Sequence, residues 1–155
     1  MDKNEKQERR RHQRYDSEVE VYFRVNYDLK TRVAFWILSK FKNAHLKYTA
    51  ITRNFSAQGL CLCSQHKLKK DDQLFLEVYI PKKKEPIPMR GEVRWSQPLS
   101  EEDGKAGRFY TGIKLLKVYK KKVAPTIYFD QTYQVIWSIV LESVFGSFRQ
   151  LAQKN

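Results

Sequence analysis

The sequence predicts a mainly β fold: a six-stranded antiparallel β-barrel followed by a long amphipathic C-terminal α-helix. Three observations carry this expectation. Short segments alternate apolar and polar residues with a period of two, as half-buried strands do. Turn residues separate these segments with no helical pattern between them, which favours an antiparallel sheet closed or nearly closed on itself. Beyond Pro125 the apolar period changes to between three and four, the spacing of one helix face.

Residues 1–16 are polar and basic, a leader expected to stay mobile until a ligand orders it. A first strand is predicted over residues 18–26, where Val19, Val21, Phe23 and Val25 fall on one face. The apolar run of residues 33–38 lies in a basic connection, residues 28–47, read as an insertion. Periodicity does not separate a short buried helix from a strand there, and the segment is read as an extended hairpin packed on the domain. Its aromatic residues between basic flanks also suit a membrane-surface or partner-binding element. In residues 46–54, Tyr48, Ala50 and Thr52 alternate with Thr49, Ile51 and Arg53. Leu60-Cys61-Leu62-Cys63 then completes a hairpin. Further strands are expected at residues 73–80, 87–96 and 108–117, the last after an acidic turn at 101–105. A helix is expected from Thr126 onward, with Tyr133, Ile136, Trp137, Val140, Leu141, Val144, Phe145, Phe148 and Leu151 as its apolar stripe. Covering the barrel is the first reading of that stripe, and its width also leaves room for homo-oligomer formation. The division is therefore a leader (1–16), a barrel (17–118) and a C-terminal helix (119–155).

A chain of 155 residues fits one domain whose core needs no metal or disulfide. With 41% hydrophobic and 14% aromatic residues, intrinsic disorder of the bulk is excluded. The net charge of +13 predicts attraction to polyanions: nucleic acid, anionic lipid or a phosphate-bearing ligand. Its lysine runs at 67–70, 82–84 and 120–122 are scattered, which argues against one dedicated nucleic-acid groove. No apolar run reaches the roughly 18 to 20 residues a spanning helix needs, and the charged N-terminus is unlike a signal peptide, so a cytoplasmic location is expected. Cys61 and Cys63 lie two apart on one strand, where a mutual disulfide is geometrically disfavoured. With His66 they lack a fourth zinc ligand, and packing is the preferred reading. His12, His45 and His66 are scattered and no nucleophile sits near a base, so an enzyme is not expected.

Two stretches remain. Arg9, Arg10 and Arg14 are guanidinium groups on the leader. Their planar forks suit phosphate oxygens or the O6 and N7 edge of guanine, and their faces suit stacking. Asn54, Ser56 and Gly59 offer an amide, a hydroxyl and a bare backbone where strand alternation stops. Taken singly, the first is accounted for by a solvated basic tail and the second by a hairpin turn.

Together, Arg-x-x-x-Arg followed by Asn-x-Ser-x-x-Gly resembles the PilZ domain family. Gly91-Glu92-Val93-Arg94-Trp95 is similar to the family's later strand and Gly112-Ile113-Lys114-Leu115 to its closing strand. The resemblance covers about residues 9–118 and implies a PilZ-like split barrel that binds cyclic di-GMP, without any other cofactor. It implies that Arg10 and Arg14 grip phosphates and guanine edges, that Arg9 adds a contact favouring an intercalated ligand dimer, and that Asn54, Ser56 and Gly59 contact the other face. Trp95 is a stacking or packing residue near that face. Such a receptor signals to a downstream protein by a ligand-induced change of surface. Two other readings are open: a basic barrel binding nucleic acid through Trp36, Phe41, Tyr48 and Tyr79, and a PilZ-like adaptor that binds protein only.

Overall fold

Six strands close on themselves because each has one apolar face to bury and two edges to pair. In the computed structural model the described residues are 27–38, 46–100 and 107–154, with side chains through 146. The strands are β1 (Tyr27–Asp28), β2 (Arg32–Ile37), β3 (Tyr48–Phe55), β4 (Gly59–Ser64), β5 (Gln73–Tyr79), β6 (Ile87–Pro98) and β7 (Phe109–Val118). A short β8 (Lys121–Lys122) extends β7, a 3-10 turn spans Ala124–Thr126, and β9 (Tyr128–Asp130) pairs with β10 (Val135–Trp137). Helix α1 covers Ile139–Lys154. Around the barrel the order is β3-β2-β5-β6-β7-β4, and β4 pairs back to β3, all antiparallel.

The inward faces supply one continuous core. Val33, Phe35 and Ile37 of β2 meet Leu74, Leu76 and Val78 of β5, Ile87, Met89 and Val93 of β6, and Ile113, Leu115 and Val118 of β7. All are nearly or fully buried. Phe35 also stacks on Tyr48, ring centroids 5.3 Å apart. Helix α1 closes one opening: Val140, Leu141 and Val144 are buried, and the Phe145 ring meets Tyr27 and Phe55.

The six-stranded antiparallel barrel and its C-terminal helix follow the sequence expectation, with two corrections. Of the residues 28–47 read as an insertion, Arg32–Ile37 form the barrel strand β2, paired with β3 on one side and with β5 on the other. Its continuous apolar run arises because Ala34, on the outward face, is buried along with Val33, Phe35 and Ile37. The strand expected at residues 18–26, Phe41 and the turn at 101–105 lie outside the described residues.

The second correction concerns the helix, which begins at Ile139 and not at Thr126. Asp130 accepts hydrogen bonds at Oδ1 from the backbone N–H groups of Thr132 and Tyr133, a side-chain turn that reverses the chain. Gln134 completes the reversal at φ 55°. Aromatic and β-branched residues on both sides then pair as β9 and β10. Tyr133 thus belongs to this turn, and Ile136 and Trp137 to β10. The side chains of Phe148 and Leu151 are not among those described.

Candidate functional site

Ladder irregularities decide what this barrel shows to solvent. Between β3 and β4, Thr52 faces Leu62 and Asn54 faces Cys61, so Arg53 is one residue more than β4 can match. Such a bulge reverses the in-and-out alternation beyond it. Ala50 and Thr52 point inward, but so does Phe55, and both Arg53 and Asn54 are delivered to the outer surface. β6 repeats the device. Val93 faces Ile113 and Trp95 faces Gly112, leaving Arg94 as the extra residue, and Arg94 and Trp95 are both exposed.

The two bulges lie on either side of β4 and β7. Between them is an open groove of about 580 Å³ lined by Arg53, Asn54, Ser56, Gln58, Gly59, Leu60, Cys61, Arg94, Trp95, Gly112, Ile113 and Lys114. Asn54, Ser56, Gly59 and Trp95, all selected from the sequence, are brought together here. Arg9, Arg10 and Arg14 lie outside the described residues.

Ser56 and Gly59 form the turn at one end. The Ser56 amide donates to the Gly59 carbonyl at 2.8 Å, and the Gly59 amide donates to Ser56 Oγ at 3.1 Å. Gly59 is required by closeness and not by a positive φ: a Cβ there would overlap the carbonyl oxygen of Ile113 on β7. That approach lets the Gln58 carbonyl accept from the Leu115 amide at 2.8 Å, fixing the turn to the closing strand. Among the described residues no hydrogen bond holds the Asn54 side-chain amide, which lines the groove.

Gly112 does the same for the aromatic wall. A Cβ at that position would overlap Cε2 and Nε1 of Trp95, so the missing side chain is what lets the indole lie against β7. Trp95 remains 43% exposed, a large aromatic residue lining the groove. An indole held in this way presents a stacking platform for a flat ligand.

Three cations surround it: Arg53, Arg94 and Lys114. The Arg53 guanidinium lies over the Tyr110 ring, 4.7 Å from its centroid. Arg94 is 3.7 Å from Glu92, a long and partly exposed ion pair. Burial pushes the Cys61 thiol above its ordinary pKa, more than nearby Arg53 lowers it, so at neutral pH the thiol adds no negative charge. The result is a positive, polar groove with one aromatic wall, suited to an anion that carries flat rings. Sequence reading missed Arg53, Arg94, Lys114 and Gln58. For Arg53 a signal exists, since the alternation slips between Thr52 and Phe55; for Arg94 the pattern offers none without the register of β7.

Beneath the turn lies a link to the C-terminal helix. Ser138 is buried, and its hydroxyl donates to the Ala57 carbonyl at 2.6 Å while accepting from the Val140 amide at 3.1 Å. It is therefore the N-cap of α1 and also a tether from that helix to the turn that lines the groove.

Of the residues weighed from the sequence for a metal or for nucleic acid, Cys61 lines this groove, while Cys63, His66, Trp36, Tyr48 and Tyr79 do not. Cys61 and Cys63 are free thiols, and no group of three His, Cys, Asp or Glu side chains gathers around a metal position among the described residues. Trp36 packs on Phe75, Tyr48 on His66, and Tyr79 lies beneath Arg32. Among the described residues no helix is long and apolar enough to cross a membrane.

Comparison with known proteins gives a consistent fold. The family model for the PilZ domain matches residues 8–118. The structure of the Bacillus subtilis inhibitor of motility (MotI/DgrA) is similar at a TM-score of 0.51 and 12% sequence identity, over 84% of this chain and 52% of that one. The present chain thus spans about half the length of that protein, and at this identity the likeness establishes the fold alone. A sequence search of curated proteins returns no match.

Proposed function

The chain belongs to the PilZ domain family, and from that premise we propose that it is a non-enzymatic receptor for cyclic di-GMP. One observation carries the reading: Asn54, Ser56, Gly59 and Trp95 line a single groove together with three fixed cations. Cyclic di-GMP has two phosphates and two guanines, so it calls for guanidinium groups, small polar groups at its rim and a surface for its bases. One guanine stacks on the Trp95 indole. Asn54 and the turn through Gly59 meet the rim, and Arg10 and Arg14 close over the phosphates from the leader. Arg9 adds a contact when the ligand enters as an intercalated dimer.

The output follows from the tether. Movement of the turn on ligand binding is transmitted through the Ala57 carbonyl to Ser138 and so to the start of α1, and the face altered there is read by a downstream protein. The structural neighbour is an inhibitor of motility, which makes a motility component the first class of partner to test.

Calorimetric titration with cyclic di-GMP, in parallel with GTP, cyclic GMP and a short oligonucleotide at two salt concentrations, tests the reading. Saturable heat with the cyclic dinucleotide alone is expected. Arg14→Ala should remove most of it and leave the melting temperature of the free protein unchanged. Preference for the oligonucleotide with a steep loss in salt would replace the receptor with a nucleic-acid-binding barrel. Absence of binding to every nucleotide would leave the protein-only adaptor.

A further inference from the structure

Two of the barrel's three unmatched ladder residues are arginines, and both open on the same groove. A bulge places its extra residue outside the ladder, and small or apolar residues serve that purpose as well as charged ones. Yet Arg53 on β3 and Arg94 on β6 arrive in the same groove from opposite bulges, with Trp95 beside one and Lys114 between the strands. Three cations in one concavity repel one another. The compensation on the protein is slight: Glu92 lies 3.7 Å from Arg94, and among the described residues no carboxylate lies within ion-pair distance of Arg53.

Arg53 is instead seated on the Tyr110 ring. A guanidinium held by its flat face keeps its N–H edges available, and those edges form the planar fork that pairs with phosphate oxygens. The ring therefore orients the cation without neutralising it. The backbone of each arginine is placed by the strand pairs on both sides of its bulge, and the Tyr110 ring further orients Arg53, which favours a preorganised anion contact.

We propose that Arg53 and Arg94 form a second phosphate-binding pair, built into the barrel wall and separate from the leader pair Arg10 and Arg14. The pair rests on the receptor reading for its ligand but not for its chemistry, which is that of an anion with two phosphates flanking a stacked base. With one guanidinium on each side of the groove, a ligand carrying two separated phosphates engages both. A cyclic mononucleotide engages only one, so the wall itself selects the dinucleotide.

The test uses the full chain, with Arg53→Ala, Arg94→Ala, the double variant and Arg53→Lys, titrated with cyclic di-GMP and with inorganic pyrophosphate. Arginine side-chain N–H signals are followed by NMR. Each alanine variant should weaken dinucleotide binding roughly 10- to 100-fold, the range for a lost charge-assisted hydrogen bond. Arg53→Lys should recover only a small part, since it keeps the charge without the fork. Unchanged apo melting temperatures show that the loss is not unfolding. Dinucleotide affinities within twofold of the parent in both single variants and the double variant would overturn the proposal and leave the receptor reading intact. If the parent ignores the dinucleotide but pyrophosphate shifts the Arg53 and Arg94 signals, and the double variant abolishes the response, the anion pair stands and the receptor reading falls. No response of these signals to either ligand overturns the pair.

Discussion

Strands β2 and β5 pair from Arg32 to Ile37 without a break in register, whereas β3, β6 and β7 each carry one residue that a neighbouring strand does not match: Arg53, Arg94 and Leu116. β5 alternates strictly, and the inward residues of both strands are fully buried aliphatic and aromatic side chains. The irregular half slips three times, and two of the slips, at Arg53 and Arg94, turn polar, charged or aromatic residues outward into one groove. Both halves draw on the same pairing rules. The difference lies in where the ladder is allowed to slip: continuous pairing builds the core, and slippage next to it builds a surface with chemistry.

The sharpest way to break this contrast is in the regular half. Phe35 is fully buried and stacked on Tyr48. Phe35→Ala should cost about 3–5 kcal/mol of stability, measured by chemical denaturation, while the molecules that remain folded bind ligand with unaltered affinity. A loss of affinity with stability preserved would erase the division.

Gly59→Ala acts inside the irregular half, where β4 comes close to β7. The overlapping group is the Ile113 backbone carbonyl, which no side-chain rotation can move aside, so β4 and β7 must separate. We expect a loss of about 1–3 kcal/mol together with loss of binding. Stability matching the parent would show that the close approach is not needed.

In the same half, Trp95→Ala should cost about 1–3 kcal/mol of binding free energy, the value of one stacked base, with little change in melting temperature because the residue is nearly half exposed. A large drop in melting temperature would make Trp95 a packing residue instead.

Smallest of all is Ser138→Ala. Removing the cap should cost about 1 kcal/mol, and affinity should hold while the ligand-induced change at α1 weakens. Fluorescence of a probe on the helix reads that change. A full response in the variant would show that the signal takes another route.

This contrast also explains what could be read from the sequence. Alternation in residues 48–53, 60–63 and 73–79 was legible because each strand has one wet face. β2 was not, since burial on both faces removes the period that separates strand from helix. The β9–β10 hairpin was hidden for a different reason: Tyr133, Ile136 and Trp137 fit a helical stripe, and the side-chain turn at Asp130 is a local hydrogen-bond preference that periodicity does not register. Ser138, an N-cap residue ahead of an apolar run, is where the helix starts, a signal passed over in favour of the longer apolar stripe. In the site, Asn54, Ser56 and Gly59 stood out as turn chemistry. Arg94 and Lys114 did not, because what brings them together is the register of β6 against β7, a long-range pairing.

Hydrogen–deuterium exchange of the full chain with and without saturating cyclic di-GMP tests most directly whether the slipped half is the receptor. The account predicts new protection in the leader around Arg10 and Arg14, in the turn from Asn54 to Gly59, and around Arg94, Trp95 and Gly112, with a change at the start of α1 and none along β2 and β5. Protection confined to β2 and β5, or a leader that exchanges identically with and without ligand, would contradict it.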